Sequence, residues 1–126
     1  MSASGFVLDC GAFIALERRN ETMVRLTQLF ARERVPLCTS AGVVAQVWRG
    51  GGSTQVPLAF LLRRVTVVDL TYAVARRLGM ILGATDTADA IDAHVAFLAR
   101  ERGWPVLTSD PRELRAIDPK LDVELV

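Results

Sequence analysis

Carboxylates follow two of the apolar segments in this chain. Asp9 comes directly after Phe6-Val7-Leu8, and Asp110 ends the segment WPVLTSD. A charge in apolar surroundings is costly, so each carboxylate needs a compensating partner or must shift its pKa until it is neutral. Hard divalent cations take oxygen ligands, and a site of this kind activates water and stabilises the charge that develops during phosphodiester cleavage. The two acids therefore predict a metal site if the fold brings them together.

A third group of acids lies in the segment DTADAIDAH. Asp86, Asp89 and Asp92 are spaced by three, so we predict that they lie along one side of the start of a helix at about residues 87–102. Anions suit a helix N-terminus, which explains Asp86 and Asp89 without any ligand. We expect Asp92 to lie beyond the first turn among mostly apolar neighbours, where a helix terminus does not explain it.

Each strand-end acid also has a structural explanation. Asp110 precedes Pro111, and Glu113 stands three residues after Asp110, an order typical of the N-cap, N1 and N3 positions of a helix. Asp9 is equally consistent with a turn residue and with a functional one. The metal interpretation rests on the acids as a group, because clustered carboxylates repel one another unless something neutralises them.

The pattern of apolar residues and breakers predicts strands that alternate with helices. Strands separated in this way pair in parallel through right-handed crossovers, and helices must then cover both faces of the sheet. We therefore predict a three-layer α/β/α fold with a central, mostly parallel sheet, one domain over residues 1–126, and sites beyond the carboxyl ends of the strands. The predicted strands cover about residues 5–9, 35–39, 65–70, 104–110 and 122–126. The predicted helices cover about residues 12–19, 21–33, 55–64, 87–102 and 111–117, with a further helix capped by Ser40 and another that starts at Thr71; Asn20 is a candidate cap.

Composition and charge narrow the class of protein. The 126 residues are 51% hydrophobic and 23% charged with a net charge of +1, which is typical of a soluble globular protein. Any nucleic-acid site must therefore be a local patch. No apolar run approaches the ~20 residues of a membrane span, and the start of the chain has no secretory signal. Cys10 and Cys38 match neither a redox pair nor a zinc-ligand set, so we expect reduced thiols in a cytoplasmic protein.

Four segments in order carry a family resemblance. They are FVLDCGAFIALE, TSAGVVAQVWRGG, DAIDAHVAFLAR and VLTSDPRELRAI, and together they span almost the whole chain. The chain resembles PIN domains, and specifically the VapC-type toxin ribonucleases of bacterial toxin–antitoxin pairs. The resemblance implies a parallel sheet between helices and an acidic Mg²⁺ or Mn²⁺ site that cleaves RNA. It also implies a homodimer and a cognate antitoxin that occludes the acidic groove.

The resemblance assigns roles by position. Asp9, Asp92 and Asp110 match the acidic positions of the family, which implies that they are catalytic and hold the metal. Asp89 is a neighbouring acid that could bind a second ion or its water. Thr108 and Ser109 match the polar pair before the last acid and could orient water or phosphate.

One position departs from the family pattern. The family usually has a glutamate in the helix that leads to Trp-Arg-Gly, and this chain has Gln46. An amide keeps an acceptor oxygen but loses the charge, so we expect weaker metal binding and place Gln46 among the substrate contacts. Asp89 could compensate, whereas Glu17 is better explained as a surface acid. A catalytically weakened or inactive PIN-like module that binds RNA or a partner protein therefore stays open as the alternative.

Two arginines are candidate RNA contacts, because a guanidinium matches phosphate oxygens. Arg49 lies before a run of glycines, and Arg112 lies two residues after Asp110, although both are equally consistent with exposed surface residues. His94 points about 100° away from its neighbours on a helix, so we predict packing rather than catalysis. Cys10 has no basic partner nearby and is predicted to be a small buried residue, not a nucleophile.

Overall fold

A parallel β-sheet forms the centre of the fold. The computed structural model describes residues 4–126, and in this range the sheet has five strands in the order β3-β2-β1-β4-β5, with every neighbouring pair parallel. The strands are β1 (Phe6–Leu8), β2 (Leu37–Ser40), β3 (Thr66–Val68), β4 (Val106–Thr108) and β5 (Val123–Leu125). The predicted parallel sheet is therefore confirmed, with strands shorter than the apolar segments that indicated them.

Helices cover both faces of this sheet. α1 packs against three other helices, α2, α3 and α4, whereas α6 packs against α5 and α7. Both α1 and α6 contact β1 and β4, which gives the predicted three-layer α/β/α arrangement. The helices are α1 (Cys10–Glu17), α2 (Glu21–Glu33), α3 (Ala41–Val47), α4 (Val56–Leu62), α5 (Tyr72–Thr85), α6 (Ala90–Arg102) and α7 (Arg112–Ile117), with a 3-10 turn at Ser53–Gln55.

The core lies on both sides of the central strands. Val7 and Leu8 of β1 are fully buried, and so are Phe13 of α1 and Val95 of α6, which belong to opposite helical layers. Strands covered on both faces read as continuous apolar runs, which is why β1 and β4 lack an alternating pattern. Across residues 4–126, no helix is both long and apolar enough to cross a membrane.

Side-chain caps set the starts of several helices, as the sequence predicted. Asn20, Ser40 and Thr71 each accept a hydrogen bond from a backbone N–H in the first turn of α2, α3 and α5. These bonds satisfy donors that have no partner within the helix. The predicted caps Asn20 and Ser40 are therefore confirmed, and Thr71, predicted as the start of a helix, caps α5.

The predicted helix at about residues 87–102 begins later than expected. α5 runs to Thr85, and Asp86 ends it in the left-handed conformation with φ of 53°. α6 begins at Ala90 because the Asp89 side chain caps it. Placing Asp86 at a helix N-terminus was wrong, and so was placing Asp92 beyond the first turn, since Asp92 lies in the first turn of α6. The cap at Asp89 and the left-handed Asp86 set the helix boundaries here, and the spacing of the acids in the sequence did not indicate them.

Candidate metal centre

An acidic cavity of about 190 Å³ opens at the carboxyl ends of β1 and β4. Carboxylates from three parts of the chain line it: Asp9, Asp89, Asp92, Asp110 and Glu113. Uncharged polar groups complete the wall: Cys10, Gln46, Thr108 and Ser109. The structure thus brings together all the acids that the sequence singled out for the site, with the amide and the polar pair beside them. It adds one acid, Glu113, that sequence reasoning assigned to helix capping.

Asp9 is buried where β1 passes into α1. Its backbone N–H donates to the carbonyl of Leu107 at 3.3 Å, and its Oδ1 accepts from the N–H of Ala12 at 3.0 Å as the cap of α1. The residue is only 7% exposed. Burial raises the pKa of Asp9 above its usual value, while the nearby Thr108 side chain and the backbone N–H groups of Ala12 and Gly11 act in the opposite direction. Asp9 is therefore both a turn residue and a cavity carboxylate.

Asp89, Asp92 and Glu113 form the tightest group of acids in the described part of the chain. One carboxylate oxygen from each lies within 4.8 Å of the others. Asp89 is fixed as the cap of α6, since its Oδ1 accepts from the N–H groups of Ile91 and Asp92 at 2.9 Å. Burial, the hydrogen bond with Glu113 and the charge of Asp89 raise the pKa of Asp92 to about 7. Without a cation, this group therefore holds a proton close to neutral pH.

Asp110 is exposed and is paired with an arginine. Arg112 Nη2 lies 2.6 Å from Asp110 Oδ2, and Arg112 Nε lies 3.0 Å from Asp110 Oδ1. These hydrogen bonds lower the pKa of Asp110 to about 2. The backbone N–H of Arg112 also donates to Asp110 Oδ1 at 3.1 Å, so this acid does bind the start of α7. α7 begins at Arg112, one residue later than the predicted Pro111, and the predicted return bond from Glu113 is replaced by its contact with Asp92.

Gln46 faces the cavity from the last turn of α3. Its Oε1 accepts a hydrogen bond from the Cys10 thiol, with an S···O distance of 2.8 Å. Burial and the nearby charges of Asp9, Asp92 and Asp89 raise the pKa of Cys10 to about 12. The thiol is therefore protonated and acts as a hydrogen-bond donor, in line with the prediction that it is not a nucleophile. The predicted full burial of Cys10 was wrong: its side chain is partly exposed because it lines the cavity. Cys38, also a free thiol, is buried in β2.

Thr108 and Ser109 shape the loop that carries Asp110. The Thr108 hydroxyl donates to the Asp110 carbonyl at 3.0 Å and accepts from the Asp110 N–H at 3.1 Å, and Thr108 is 1% exposed. Ser109 lies against α1, where a β-carbon placed on Gly11 would clash with the Ser109 hydroxyl and lie 3.0 Å from its backbone nitrogen. A residue without a side chain at position 11 thus lets α1 approach the loop closely.

Arg49 and Glu17 lie outside the cavity. The Arg49 guanidinium donates to the carbonyls of Trp48 at 2.8 Å and Ala45 at 3.3 Å, at the end of α3. Glu17 accepts from the Gln55 side chain at 2.7 Å, and Gln55 also accepts from the Arg49 N–H at 2.8 Å. Gln55 is 3% exposed and organises this junction. Sequence reasoning had no signal for it, because a single glutamine before a helix has many possible positions.

His94 packs in the core, as predicted. It is 1% exposed, its Nδ1 lies 2.7 Å from the Ser40 hydroxyl, and neither residue lines the acidic cavity. Burial lowers the pKa of His94, so the imidazole is neutral at physiological pH. This histidine ties α6 to β2 instead of entering the cavity.

The donor set of the cavity suits a hard divalent cation. Carboxylate oxygens dominate it, the amide and hydroxyl groups add oxygen, and the thiol is protonated. Within residues 4–126, no lysine or arginine lines the cavity. Magnesium and manganese prefer such oxygen ligands, whereas zinc and copper favour imidazole and thiolate. The residues present could therefore hold a divalent metal ion.

Comparison with known proteins identifies the family. The model of the PIN domain family matches residues 6–119. The chain belongs to the PIN domain family. This match confirms the resemblance drawn from the four sequence segments. No curated protein sequence is similar enough to this PIN domain to count as a relative.

Solved structures show the same fold at low sequence identity. VapBC2 from Rickettsia felis, bound to a promoter DNA fragment, has a TM-score of 0.71 and 17% identity, and the alignment covers 96% of this PIN domain and 98% of that chain. PAE2754 from Pyrobaculum aerophilum has a TM-score of 0.65 and 16% identity, with coverage of 94% and 88%. FitAcB from Neisseria gonorrhoeae has a TM-score of 0.57 and 22% identity, with coverage of 94% and 95%.

Proposed function

We propose that this PIN domain is a metal-dependent endoribonuclease of the VapC type, the toxin of a type II toxin–antitoxin pair. We further propose that residues 1–126 form a single domain and that Mg²⁺ or Mn²⁺ is its cofactor. The observation that carries the proposal is the convergence of five carboxylates on one cavity at the carboxyl edge of a PIN-type sheet. Among residues 4–126, four of these carboxylates, all except that of Asp110, have no cationic side chain paired with them, which a purely structural role does not explain.

The cavity acids have different proposed roles. We assign Asp9, Asp92 and Asp110 as the catalytic acids that hold the ion, and Asp89 as a further ligand or a ligand to its water. A bound divalent ion lowers the pKa of water and stabilises the charge that develops on a phosphodiester. Asp92 must lose its proton, because its pKa is about 7 and a ligand carboxylate is ionised.

Neighbouring side chains position the substrate. The loop of Thr108 and Ser109 lies directly between the buried Asp9 and the exposed Asp110, where its polar groups could orient phosphate or water. Gln46 offers an amide N–H₂ donor, since its oxygen already accepts from Cys10. These groups bind and orient; none of them needs to change protonation state.

Arginines at the rim are proposed to contact RNA phosphates. Arg112 is highly exposed and its fork is held by Asp110, so a cation that binds Asp110 would leave the guanidinium free for a phosphate. Arg49 lies outside the cavity, so we expect it to reach only nucleotides away from the cleaved bond.

A cognate antitoxin and a second copy of the chain are proposed as protein partners. The resemblance to VapC-type toxins supports both partners, and VapBC2 and FitAcB are among the solved structures that share the fold. A groove of about 300 Å³ between α1, α2 and α4 offers apolar surface from Leu16, Val24 and Phe60, and Phe60 is 62% exposed. A cytoplasmic location is proposed with both thiols free.

Cleavage of a mixed pool of structured RNAs tests the proposed function. The protein is assayed with Mg²⁺, with Mn²⁺ and with a chelator, beside Asp9→Asn, Asp110→Asn and the control Glu124→Gln, an exposed acid on β5. We expect metal-dependent cuts that are lost in both Asn variants and retained in the control. Cleavage that persists with chelator, or in Asp9→Asn, would contradict the proposal.

The alternative function is an RNA- or partner-binding module with little hydrolysis. Gln46 favours it, because the amide brings no charge to the metal and its oxygen is already hydrogen-bonded. Gln46→Glu in the same assay distinguishes the nuclease from the binding module. If the variant cleaves RNA and the parent does not, while both bind RNA, the parent is a PIN domain that has lost its nuclease activity.

A further inference from the structure

We infer that Glu113 is a ligand of the metal ion and supplies the carboxylate that α3 lacks at Gln46. The inference rests on the proposed metal-dependent function and concerns which residues of this chain hold the ion. It moves the centre of the ion site towards the contact of α6 with α7.

The geometry of two helix starts brings Glu113 to the site. Glu113 lies in the first turn of α7, and Asp92 lies in the first turn of α6, which Asp89 caps. α6 and α7 pack directly against each other. One oxygen from each of the three acids lies within 4.8 Å of the others, so side-chain adjustments alone would bring all three into contact with a single cation. No change in the fold is needed to form such a ligand set.

The chain itself offers these acids no cation. Other surface acids have guanidinium partners, such as Asp118, whose Oδ2 lies 3.1 Å from Arg100 Nε. Among residues 4–126, no ion pair includes Asp89, Asp92 or Glu113. The arginine next to Glu113 in sequence binds Asp110. With no guanidinium or ammonium partner within this range, the three acids depend on a proton or on a cation from solution to offset their charge.

Helix capping does not account for Glu113. A glutamate at this position commonly reaches back to a backbone N–H at the start of its helix. In the described hydrogen-bond network the first free N–H of α7, that of Arg112, is bound by Asp110, and Glu113 contacts Asp92 across the helix interface. The side chain thus crosses to the neighbouring helix and towards the cavity.

The other walls of the cavity explain why a carboxylate is needed on this side. Gln46 is neutral, and the Cys10 thiol already donates to its oxygen at 2.8 Å. Asp9, more than nine-tenths buried, lines the same cavity at the end of β1. A carboxylate from α7 restores a negative charge that α3 does not provide, and Glu113 is the α7 acid that lines the cavity.

Mn²⁺ titration by calorimetry tests the inference without relying on cleavage. The proteins are the parent, Glu113→Gln, Gln46→Glu, the double variant with both changes, and the control Glu124→Gln, all at a pH above the Asp92 pKa of about 7. We expect Glu113→Gln to weaken Mn²⁺ affinity by at least about tenfold, because even the partner of a ligand typically contributes 10–100-fold. The double variant should regain most of this loss, and the control should match the parent.

Thermal unfolding of the same proteins in chelator separates lost ligands from lost structure. Metal-free Glu113→Gln should be at least as stable as the parent, because the change removes repulsion among three acids. Mn²⁺ should then raise its melting temperature less than that of the parent. Parent-like Mn²⁺ affinity in Glu113→Gln, with binding lost in Asp92→Asn, would overturn the role of Glu113 and leave the proposed function intact. Absence of Mn²⁺ binding by the parent would overturn both.

Discussion

Asp9 caps a helix, and we propose that the same side chain also holds the metal ion. Its Oδ1 caps α1 through the N–H of Ala12, and its carboxylate lines the acidic cavity. The cap needs only an acceptor oxygen, whereas the metal site needs charge. Burial raises the pKa of Asp9, which shows that the ionised form is unfavourable in the metal-free protein.

Asp9→Asn should therefore separate the two tasks. The amide oxygen still accepts from Ala12, so we expect metal-free stability equal to or above that of the parent, and Mn²⁺ affinity reduced at least about tenfold. Asp9→Ala should cost about 1 kcal/mol of stability because the cap is lost. Chemical denaturation in chelator and calorimetric titration measure the two effects. Equal destabilisation by both substitutions would refute the capping argument.

Asp92 links the stability of the metal-free protein to pH. Its pKa is raised from 3.8 to about 7 in the folded protein, so the folded state binds more protons than the unfolded state between these values. Stability that Asp92 contributes is therefore full below the lower value, falls as pH rises through this range, and is constant above the upper one. Asp9 acts in the same direction, and His94, with its lowered pKa, acts in the opposite one.

Asp92→Asn should flatten this dependence. The contributions of His94 and Asp9 are common to both proteins, so they largely drop out of the difference in unfolding free energy between variant and parent. In chelator, this difference should grow in favour of the variant between pH 4 and about 7. With Mn²⁺ present the parent should gain stability over the same range, because ligand carboxylates must be ionised. Urea unfolding at several pH values measures both trends. A difference that does not vary with pH would contradict the raised pKa.

Close packing between neighbouring helices and loops shapes the cavity. Gly11 lets α1 lie against the loop after β4, where Ser109 would meet any added β-carbon. Gly42 does the same between α3 and α6, since its β-carbon would lie 2.9 Å from Ile91 Cγ1. Gly11 thus allows α1 to pack closely on the loop that carries Asp110, and Gly42 allows α3 to pack closely on α6, which carries Asp92.

Gly11→Ala should weaken metal binding by displacing the loop that carries Asp110. Overpacking typically costs about 1–3 kcal/mol, although alanine alone favours a helix. Gly79→Ala is the matched control, because nothing lies within 4 Å of its added β-carbon in α5. It should stabilise the protein by roughly 0.5–1 kcal/mol and leave Mn²⁺ affinity unchanged. If Gly11→Ala bound Mn²⁺ as the parent does, the close approach would have no role in the site.

Elements were predictable where a local signal was strong. Caps at Asn20 and Ser40 and a helix start near Thr71 were confirmed, and the alternation of strands and helices predicted the parallel sheet. Asp86 was misplaced because the end of α5 and the start of α6 lie close together in sequence, where spacing alone cannot separate them. Glu113 was missed because its contact crosses to another helix, and sequence spacing within α7 carries no information about that contact.

The core and the acidic cavity are separate parts of the whole molecule. The fully buried apolar side chains come from both helical layers, and of the core cluster Leu114 also lines the cavity. We therefore expect folding of this chain not to require a metal, unlike the folding of small zinc domains, whose metal contributes much of their stability.

Removal of metal should leave the fold intact. We expect the same far-ultraviolet circular dichroism spectrum with chelator and with Mn²⁺, and a melting temperature that rises with Mn²⁺ concentration by mass action. Calorimetry of unfolding over a Mn²⁺ series makes the comparison, with Asp92→Asn as the control whose melting temperature should respond far less. Loss of secondary structure in chelator would show that the carboxylates depend on the ion for folding.

The shared direction of the strands has a practical consequence for handling the protein. β1 begins at the end of the sheet opposite the acids. The N–H of Val126, just after β5, donates to the Thr108 carbonyl beside the cavity at 2.9 Å. A polyhistidine tag attached after Val126 would start next to the acids and bring imidazoles that compete for the ion. An affinity tag placed before β1 would lie a full strand length away, so apparent metal affinities should depend on which end carries the tag.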